Sequence, residues 1–393
     1  MCAFVTRKIF IGFKNIIGYG SSLRDGFREI GEEAYFYLMY RDKYNRGNTD
    51  RDVFLDLFRI ISPSQDVTIR DGFFNYLVSR FLIAVSICSL FLFVVSMPFR
   101  FNTFIFISSE WWHKYMYWWL KRFNTNVIVI FFGSEIRPAC VDGVWLSSGY
   151  DDKEIINIMK KQKKLVDFVE LYADYIISHP PISKYQTRPF YQYIKVGIPV
   201  SIENVGVKTT RNIDGVIKIV HSPTVPKAKG TLEIRNIIGK LILNGHKILY
   251  IEICNSAHKN VISEMSDADI IIDQMYSDIP TSGTTIDGAV NGVPVVIGSY
   301  YNFYDYDVAS GVDYPPCVIC NPYNIQSEVE RLISDYNYRK RIGRDAFNFI
   351  YSNWKASDVA RNYISIIDGV ADHSWIYIPS TNTQQYGCGI KNM

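Results

Sequence analysis

The chain has 393 residues, of which 48% are apolar and 21% charged, and a net charge of +3. That length exceeds one ordinary core and fits about two or three domains, and the apolar share excludes an intrinsically disordered chain. The near balance of charge excludes a protein that works by coating nucleic acid. Seven cysteines, an odd number scattered from Cys2 to Cys388, argue against a disulfide scaffold and for a reducing compartment.

The first residues are apolar but lack the basic segment, long apolar stretch and small-residue cleavage site of a secretory signal. They lead into a strand, RKIFIGF (Arg7–Phe13), then a glycine loop, GYGSS, and a helix from about Leu23 to Ile30. AYFYLMY (Ala34–Tyr40) reads as a second strand. Residues 81–99, FLIAVSICSLFLFVVSMPF, carry no charge and are bracketed by Arg80 and Arg100, long enough to consider as a membrane span. Three serines, Pro98 and the strand-like FNTFIFIS (Phe101–Ser108) that follows speak against a span, because strands on either side of it could not then share a sheet. A span, a plain core helix and a helix with one face dipped into a membrane surface stay open. The last is the expectation, because the aromatic and basic run Trp111–Phe123 suits an interfacial position.

NVIVIFF (Asn126–Phe132) is the next strand, followed by a helix over Asp152–Tyr172 and the strand DYIISH. A linker with Gly, Pro and mixed charge joins the halves near residues 200–214, after which the pattern restarts. VIKIVHS (Val216–Ser222) is a strand, GTLEIRNIIGKLILNG a helix ending at Gly245, and KILYIEI a strand. The helix HKNVISEMSDA, the strand DIIID (Asp269–Asp273), the short helix TTIDGAVNG and the strand VPVVIG (Val293–Gly298) follow. A last helix begins near Ser357, and the polar tail after Asp372 reads as loose. Alternating strand and helix periods predict an α/β protein with parallel sheets: two Rossmann-like domains, residues 1–205 and 206–372, and a tail, 373–393. Their ligand is expected in the cleft, at the carboxyl ends of the strands.

Three segments of the second half, HSPTVPKAKGT (His221–Thr231), SDADIIIDQ (Ser266–Gln274) and SGTTIDGAVNGVPVV (Ser282–Val296), resemble the donor half of retaining glycosyltransferases of the GT-B fold, family 4 type. NWKASDVARNYISII resembles that family's C-terminal helix. In the first half only the layout matches, through GYGSS and FFGSEIRP. The resemblance implies transfer of a sugar from a nucleotide-sugar donor to a glycan or lipid-linked acceptor, in cell-surface polysaccharide biosynthesis. Together with the apolar stretch 81–99 and the aromatic run 111–123, it leads to the expectation of a cytoplasmic protein, peripheral on the inner membrane face through those segments, and the charge balance to that of no nucleic-acid partner.

The resemblance also implies site residues, each with a chemical rationale. Lys229, with Gly230, sits at a helix mouth where a cation and amide N–H groups favour phosphate. Gly283, Thr284 and Thr285 open a second helix toward the same diphosphate. Asp287 stands where the family has a glutamate that grips the ribose hydroxyls, one methylene shorter here. An earlier family acid is replaced by Pro280, with Asp273 and Asp278 as nearby substitutes. Ser222, at a strand end, is placed to touch a phosphate oxygen. The loop residues Gly18, Gly20 and Ser21 approach the diphosphate or the acceptor. Phe132 occupies the position of a histidine found in many relatives, which leaves Glu135 to orient the acceptor hydroxyl and Arg137 to meet phosphate. His113, His179 and His221 read as bystanders, and Cys317 and Cys320 of CVIC as structural. Asp305–Asp307 has D-x-D spacing but lies away from the donor contacts, so transfer without a metal or other cofactor is expected. A non-catalytic subunit of a glycan-assembly complex and a nucleotide-sugar epimerase are the alternatives.

Overall fold

In the computed structural model, residues 7–40, 47–61, 73–201, 215–300 and 314–379 are described, with no account of the side chains of residues 60–61 and 73–79. Strands β1 (Lys8–Phe13), β3 (Thr103–Ile107) and β4 (Asn126–Ile130) are apolar on both faces. Their isoleucines, Ile9, Ile11, Ile105, Ile107, Ile128 and Ile130, enter one core, and Phe10, Phe104, Phe106, Val127 and Val129 the other. Strands covered by helices on both sides read in this way, and all of these pair in parallel. With β2 (Glu33–Leu38), β5 (Tyr175–Ser178), β6 (Phe190–Gln192) and β12 (Ile376–Tyr377) they form a sheet ordered β12-β6-β5-β4-β3-β1-β2.

The second sheet, ordered β11-β10-β9-β7-β8, is built from β7 (Ile217–His221), β8 (Ile248–Glu252), β9 (Ile270–Gln274), β10 (Val295–Gly298) and β11 (Val318–Cys320). In each sheet the strand order reverses beside the first strand, between β1 and β3 and between β7 and β9. Loops leaving neighbouring strands diverge at such a point and open a crevice at the carboxyl edge.

Helix α1 (Tyr19–Glu29) begins earlier than the sequence suggests. Gly18, at φ 78°, supplies the left-handed turn into it, and the Asn15 side chain accepts from the Gly20 amide at 3.0 Å. Gly20 and Ser21 therefore belong to the first helical turn, not to a cleft loop. A Cβ at Gly20 would lie 2.3 Å from the Phe36 ring, and the buried Ser21 hydroxyl donates to the Gly18 carbonyl. Both residues serve the packing of α1 on β2.

Helices α2 (Val53–Ile61) and α3 (Phe73–Arg100) connect β2 to β3. Both of those strands flank β1 in one sheet, so α3 is a crossover helix of that sheet, although by length and composition it could cross a membrane. The aromatic run forms α4 (His113–Leu120). The single turn α5 (Gly143–Leu146) precedes α6 (Asp152–Tyr172), which starts with a capping box between Asp151 and Glu154. Another single turn, α7 (Tyr193–Val196), follows β6.

In the second domain, α8 (Pro226–Lys229) and α9 (Thr231–Leu243) meet at Gly230, whose φ of 71° caps one and opens the other. Helices α10 (His258–Ser266), α11 (Gly283–Val290), α12 (Ile325–Ser334) and α13 (Tyr336–Asn353) complete its layers. The chain then returns. Helix α14 (Ala356–Ile367) packs on α1, with the Tyr363 and Tyr19 hydroxyls 2.7 Å apart. Strand β12 joins the edge of the first sheet beside β6. Residues 356–377, counted with the second domain and the tail on sequence, thus lie against the first domain.

Candidate functional site

The carboxyl edges of the two sheets face each other across a cleft. A cavity of 660 Å³ is bordered by Ile17 and Arg137 from the first domain and by Lys229, Asp278, Ser282 and Gly283 from the second. A smaller cavity of 210 Å³ lies against Ser222, His258, Thr284 and Asp287. Ile17, Lys229, Ser282 and Gly283 line both, so the two cavities share a wall. The domains touch there: a Cβ added at Gly283 would lie 2.5 Å from the Ile17 side chain.

Two cations of the cleft, Lys229 and Arg137, are held by carboxylates, and Lys227 lines the larger cavity beside them. Lys229 Nζ donates to Asp273 Oδ1 at 2.9 Å, and Asp273, almost wholly buried, has no partner at its second oxygen. Arg137 makes a two-pronged contact with Asp278, Nε to Oδ2 at 2.6 Å and Nη2 to Oδ1 at 2.8 Å, and lies 3.5 Å from Asp142. Burial alone would weaken the Arg137 charge, but Asp278 and Asp142 outweigh it and hold its pKa above the usual guanidinium value.

The amino end of α11 is organised by Ser282. Its hydroxyl accepts from the Thr285 amide at 3.2 Å, and the Thr285 hydroxyl accepts from the Ser282 amide at 3.2 Å. The buried Thr285 is therefore spent on the cap, and Ser282 takes its expected place on the cleft wall. The amides of Gly283 and Thr284 head the helix, where no preceding turn supplies acceptors. One turn on, Asp287 Oδ2 accepts from His258 Nε2 at 3.1 Å. His258, the first residue of α10, carries no sequence pattern that marks it, and only the packing of α10 beside α11 brings it to Asp287.

Ser222 reaches the smaller cavity while its hydroxyl donates to the Ile253 carbonyl at 3.2 Å. Gly230 lies behind the wall, where a Cβ would meet Met275 at 2.4 Å. Glu135 is turned away from the cleft. Its carboxylate accepts from the Phe132 and Gly133 amides at 2.8 and 3.0 Å, closing the loop that carries Arg137. A carboxylate committed to two backbone donors is a loop fastener, which corrects the expectation that it faces the acceptor. Phe132 lines the larger cavity and packs edge-on against Tyr19.

His221 is buried, with Nδ1 2.8 Å from the Ile272 carbonyl and Nε2 2.9 Å from the Thr231 hydroxyl, tying β7 to β9 and α9. His113 and His179 are also buried, and burial pushes each imidazole down to about 3. Cys317 and Cys320 carry thiols that burial raises to about 12, far from the thiolate form a metal takes. Among the described residues no group of three or more His, Cys, Asp or Glu side chains is arranged to hold a metal ion. Asp305–Asp307 lies outside the described residues.

No protein-family model matches the sequence, and no curated protein is significantly similar to it. Solved structures do match in shape over nearly the whole chain. A trehalose-6-phosphate synthase studied for transfer with retention superposes with a TM-score of 0.53 at 9% identity, covering 93% of this chain and 99% of its own. An α-glucosyltransferase bound to UDP and a DNA duplex with an A:G mismatch gives 0.51 at 12% identity, covering 92% and 98%. The HepE protein of Anabaena with UDP-glucose gives 0.50 at 11% identity, covering 92% and 99%. Likeness of this kind establishes the fold: two facing Rossmann-like domains of the GT-B type.

Proposed function

We propose that the chain is a nucleotide-sugar-dependent glycosyltransferase, acting with retention and without a metal ion on a glycan or lipid-linked acceptor. One observation carries this reading. Lys229 and the amino end of α11 border the wall shared by the two cavities, with Asp287 one turn deeper in the smaller. A diphosphate on that wall meets the ammonium of Lys229 and the amides of Gly283 and Thr284, donors already aimed where leaving-group charge develops. The smaller cavity then takes the nucleoside, whose ribose hydroxyls fall to Asp287 in the orientation His258 sets. The larger cavity takes the sugar, beside Arg137 and Asp278. The UDP and UDP-glucose bound by two of the neighbours are ligands of this shape and charge.

The acids that now hold Lys229 and Arg137 are exchanged for phosphate oxygens as donor binds, so the cations enter the transition state already positioned. Glu135 acts at one remove by fixing the loop of Arg137. Transfer with retention is read as departure of the diphosphate and attack from the same face. The assignments to cell-surface polysaccharide assembly and to the cytoplasmic membrane face rest on the family resemblance and on the apolar helix considered below.

A second reading, a non-catalytic subunit, draws on the two ion pairs, which neutralise Lys229 and Arg137. Turnover separates the two. The purified chain is incubated with a panel of labelled nucleotide sugars and a polar lipid extract, and label entering the lipid phase is counted. The proposal expects incorporation from one donor, lost in Lys229→Ala. Binding of a donor with no transfer to any acceptor favours the subunit.

A further inference from the structure

A crossover helix in a soluble α/β protein turns its apolar stripe inward and its polar side to water. Helix α3 does the opposite over much of its length. The inward positions Ser86 and Ser89 are each 4% exposed, whereas Phe81, Ile87, Phe91 and Phe99 are 67%, 62%, 65% and 71% exposed. Its apolar stretch, Arg80–Arg100, has a mean hydropathy of 2.4 and is only 22% buried. Among its described side chains it is the second half, through Leu90, Phe93, Val94 and Met97, that reaches the phenylalanine core of the first sheet. The buried Ser89 hydroxyl is satisfied by the Phe54 carbonyl of α2, so the inward face is a built contact.

The apolar surface continues beyond the helix. Phe99 packs edge-on against Phe123 at 5.1 Å, Phe123 against Trp119 at 4.8 Å, and the Trp119 indole donates to the Val95 carbonyl of α3. Trp111, just before α4, and Tyr115 and Trp118 on it are exposed. Cations outnumber acids along this stretch of sequence. From residue 73 to 123 the chain carries five cations, Arg80, Arg100, Lys114, Lys121 and Arg122, and one acid, Glu110. Glu110 is paired with Lys14, Arg100 with Asp52 and Lys121 with Asp174, while Arg122 lies flat over the Trp118 ring at 3.6 Å.

We infer that the face formed by α3 and α4 docks on a lipid bilayer bearing anionic headgroups, with the phenylalanine and isoleucine side chains entering the acyl boundary. Exposed aliphatic and aromatic rows rimmed by tryptophan, tyrosine and the cations Lys114 and Arg122, which lie over aromatic rings rather than against acids, match such an interface in both polarity and charge. The direction of α3 adds a consequence. It runs back from the carboxyl end of β2 to the start of β3, so the half carrying Phe81 and Ile87 lies toward the carboxyl edge, where the cleft opens. At about 1.5 Å per residue its 28 residues span about 42 Å, well beyond the strands they cross. If the proposed transfer is correct, a bilayer on this face brings a lipid-carried acceptor to the cleft mouth. The docking itself does not depend on that reading.

The test is flotation with phosphatidylcholine vesicles, with and without phosphatidylglycerol, read together with tryptophan emission. Wild type is expected to float with the anionic vesicles, with a blue shift that added salt reduces. Ile87→Asp combined with Phe91→Asp, at two exposed sites that leave the fold's melting temperature unchanged, is expected to lose flotation. Lys114→Glu combined with Arg122→Glu is expected to lose the preference for anionic lipid. Lys229→Ala floats as wild type does, which separates failure of docking from failure of the donor site. Wild type that floats with neither vesicle, or an aspartate variant that floats undiminished, overturns the inference. So does a concentration-dependent dimer, abolished by the aspartate pair, in a chain that ignores vesicles, because a second copy then covers the face.

Discussion

Arg137 and Asp278, 141 positions apart in sequence, clasp each other across the cleft with two charge-assisted hydrogen bonds of 2.6 and 2.8 Å. Arg137 comes from the loop after β4 and Asp278 from the loop after β9, so the pair links the two domains at the ligand's expected place. It joins them and occupies the guanidinium at the same time.

The first prediction follows from that double role. Asp278→Asn removes the competing charge and is expected to raise affinity for a nucleoside diphosphate several-fold in calorimetric titration. Arg137→Met leaves Asp278 and the buried Asp142 without their shared cation, lowers that affinity and costs about 3–5 kcal/mol of stability. Unchanged nucleotide affinity in both variants would reduce the pair to an interdomain strut.

The pair of His258 and Asp287 gives a second. Asp287→Ala removes the proposed ribose acceptor and is expected to weaken nucleotide binding at least about tenfold, or ~1.4 kcal/mol. His258→Ala leaves the carboxylate in place but unoriented, so a smaller loss is expected, with the melting temperature of the free protein little changed. Equal affinity in wild type and His258→Ala would show that the histidine orients nothing.

The third concerns acid. Burial depresses His113 and His179 to about 3, and neither His113 Nε2 nor His179 Nδ1 has a hydrogen-bond partner. The unfolded chain, with ordinary histidines near 6.5, then binds more protons than the folded one as pH falls from 6.5 toward 3. Stability is complete above that window and declines through it, by up to about 1.4 kcal/mol per pH unit for each group. Melting temperatures between pH 7 and 5 should fall more steeply in wild type than in His179→Asn. Parallel curves would contradict the assignment.

A fourth tests how the chain end is fastened. A Cβ at Gly26 would lie 2.0 Å from the Ala356 carbonyl, so α14 approaches α1 more closely than any side chain allows. Gly26→Ala is expected to cost about 1–3 kcal/mol through overpacking. It should also raise hydrogen exchange across residues 356–377 ahead of the rest of the chain. Uniform exchange would show that α14 and β12 are not held through this contact.

Much of the architecture is legible in the sequence because period-two apolar runs of isoleucine and phenylalanine mark strands sheltered on both sides. The restart near Val216 likewise marks a second sheet. Ser222, Lys229, Gly283, Thr284 and Asp287 could be named because their segments resemble the donor half of a known family, and the structure brings all five to the cleft. What the sequence conceals is pairing at a distance. Nothing in the pattern links Arg137 to Asp278 or His258 to Asp287. Local hydrogen bonding defeats simple reading as well: Glu135 turns back on its own loop, Thr285 on its cap, and the Asn15 side chain starts α1 early enough to absorb Gly20 and Ser21. The uncharged stretch 81–99 names a helix, but only the fold shows that Ser86 and Ser89 face in while Phe81, Phe91 and Phe99 face out.

The account stands most directly on the shared wall of the two cavities. Isothermal titration of wild type, Lys229→Ala and Asp287→Ala with UDP-, GDP-, ADP- and CMP-sugars addresses it. The expected result is saturable binding of one nucleotide class by wild type, with loss in both variants. Binding of none by wild type, or equal binding by all three proteins, would contradict it.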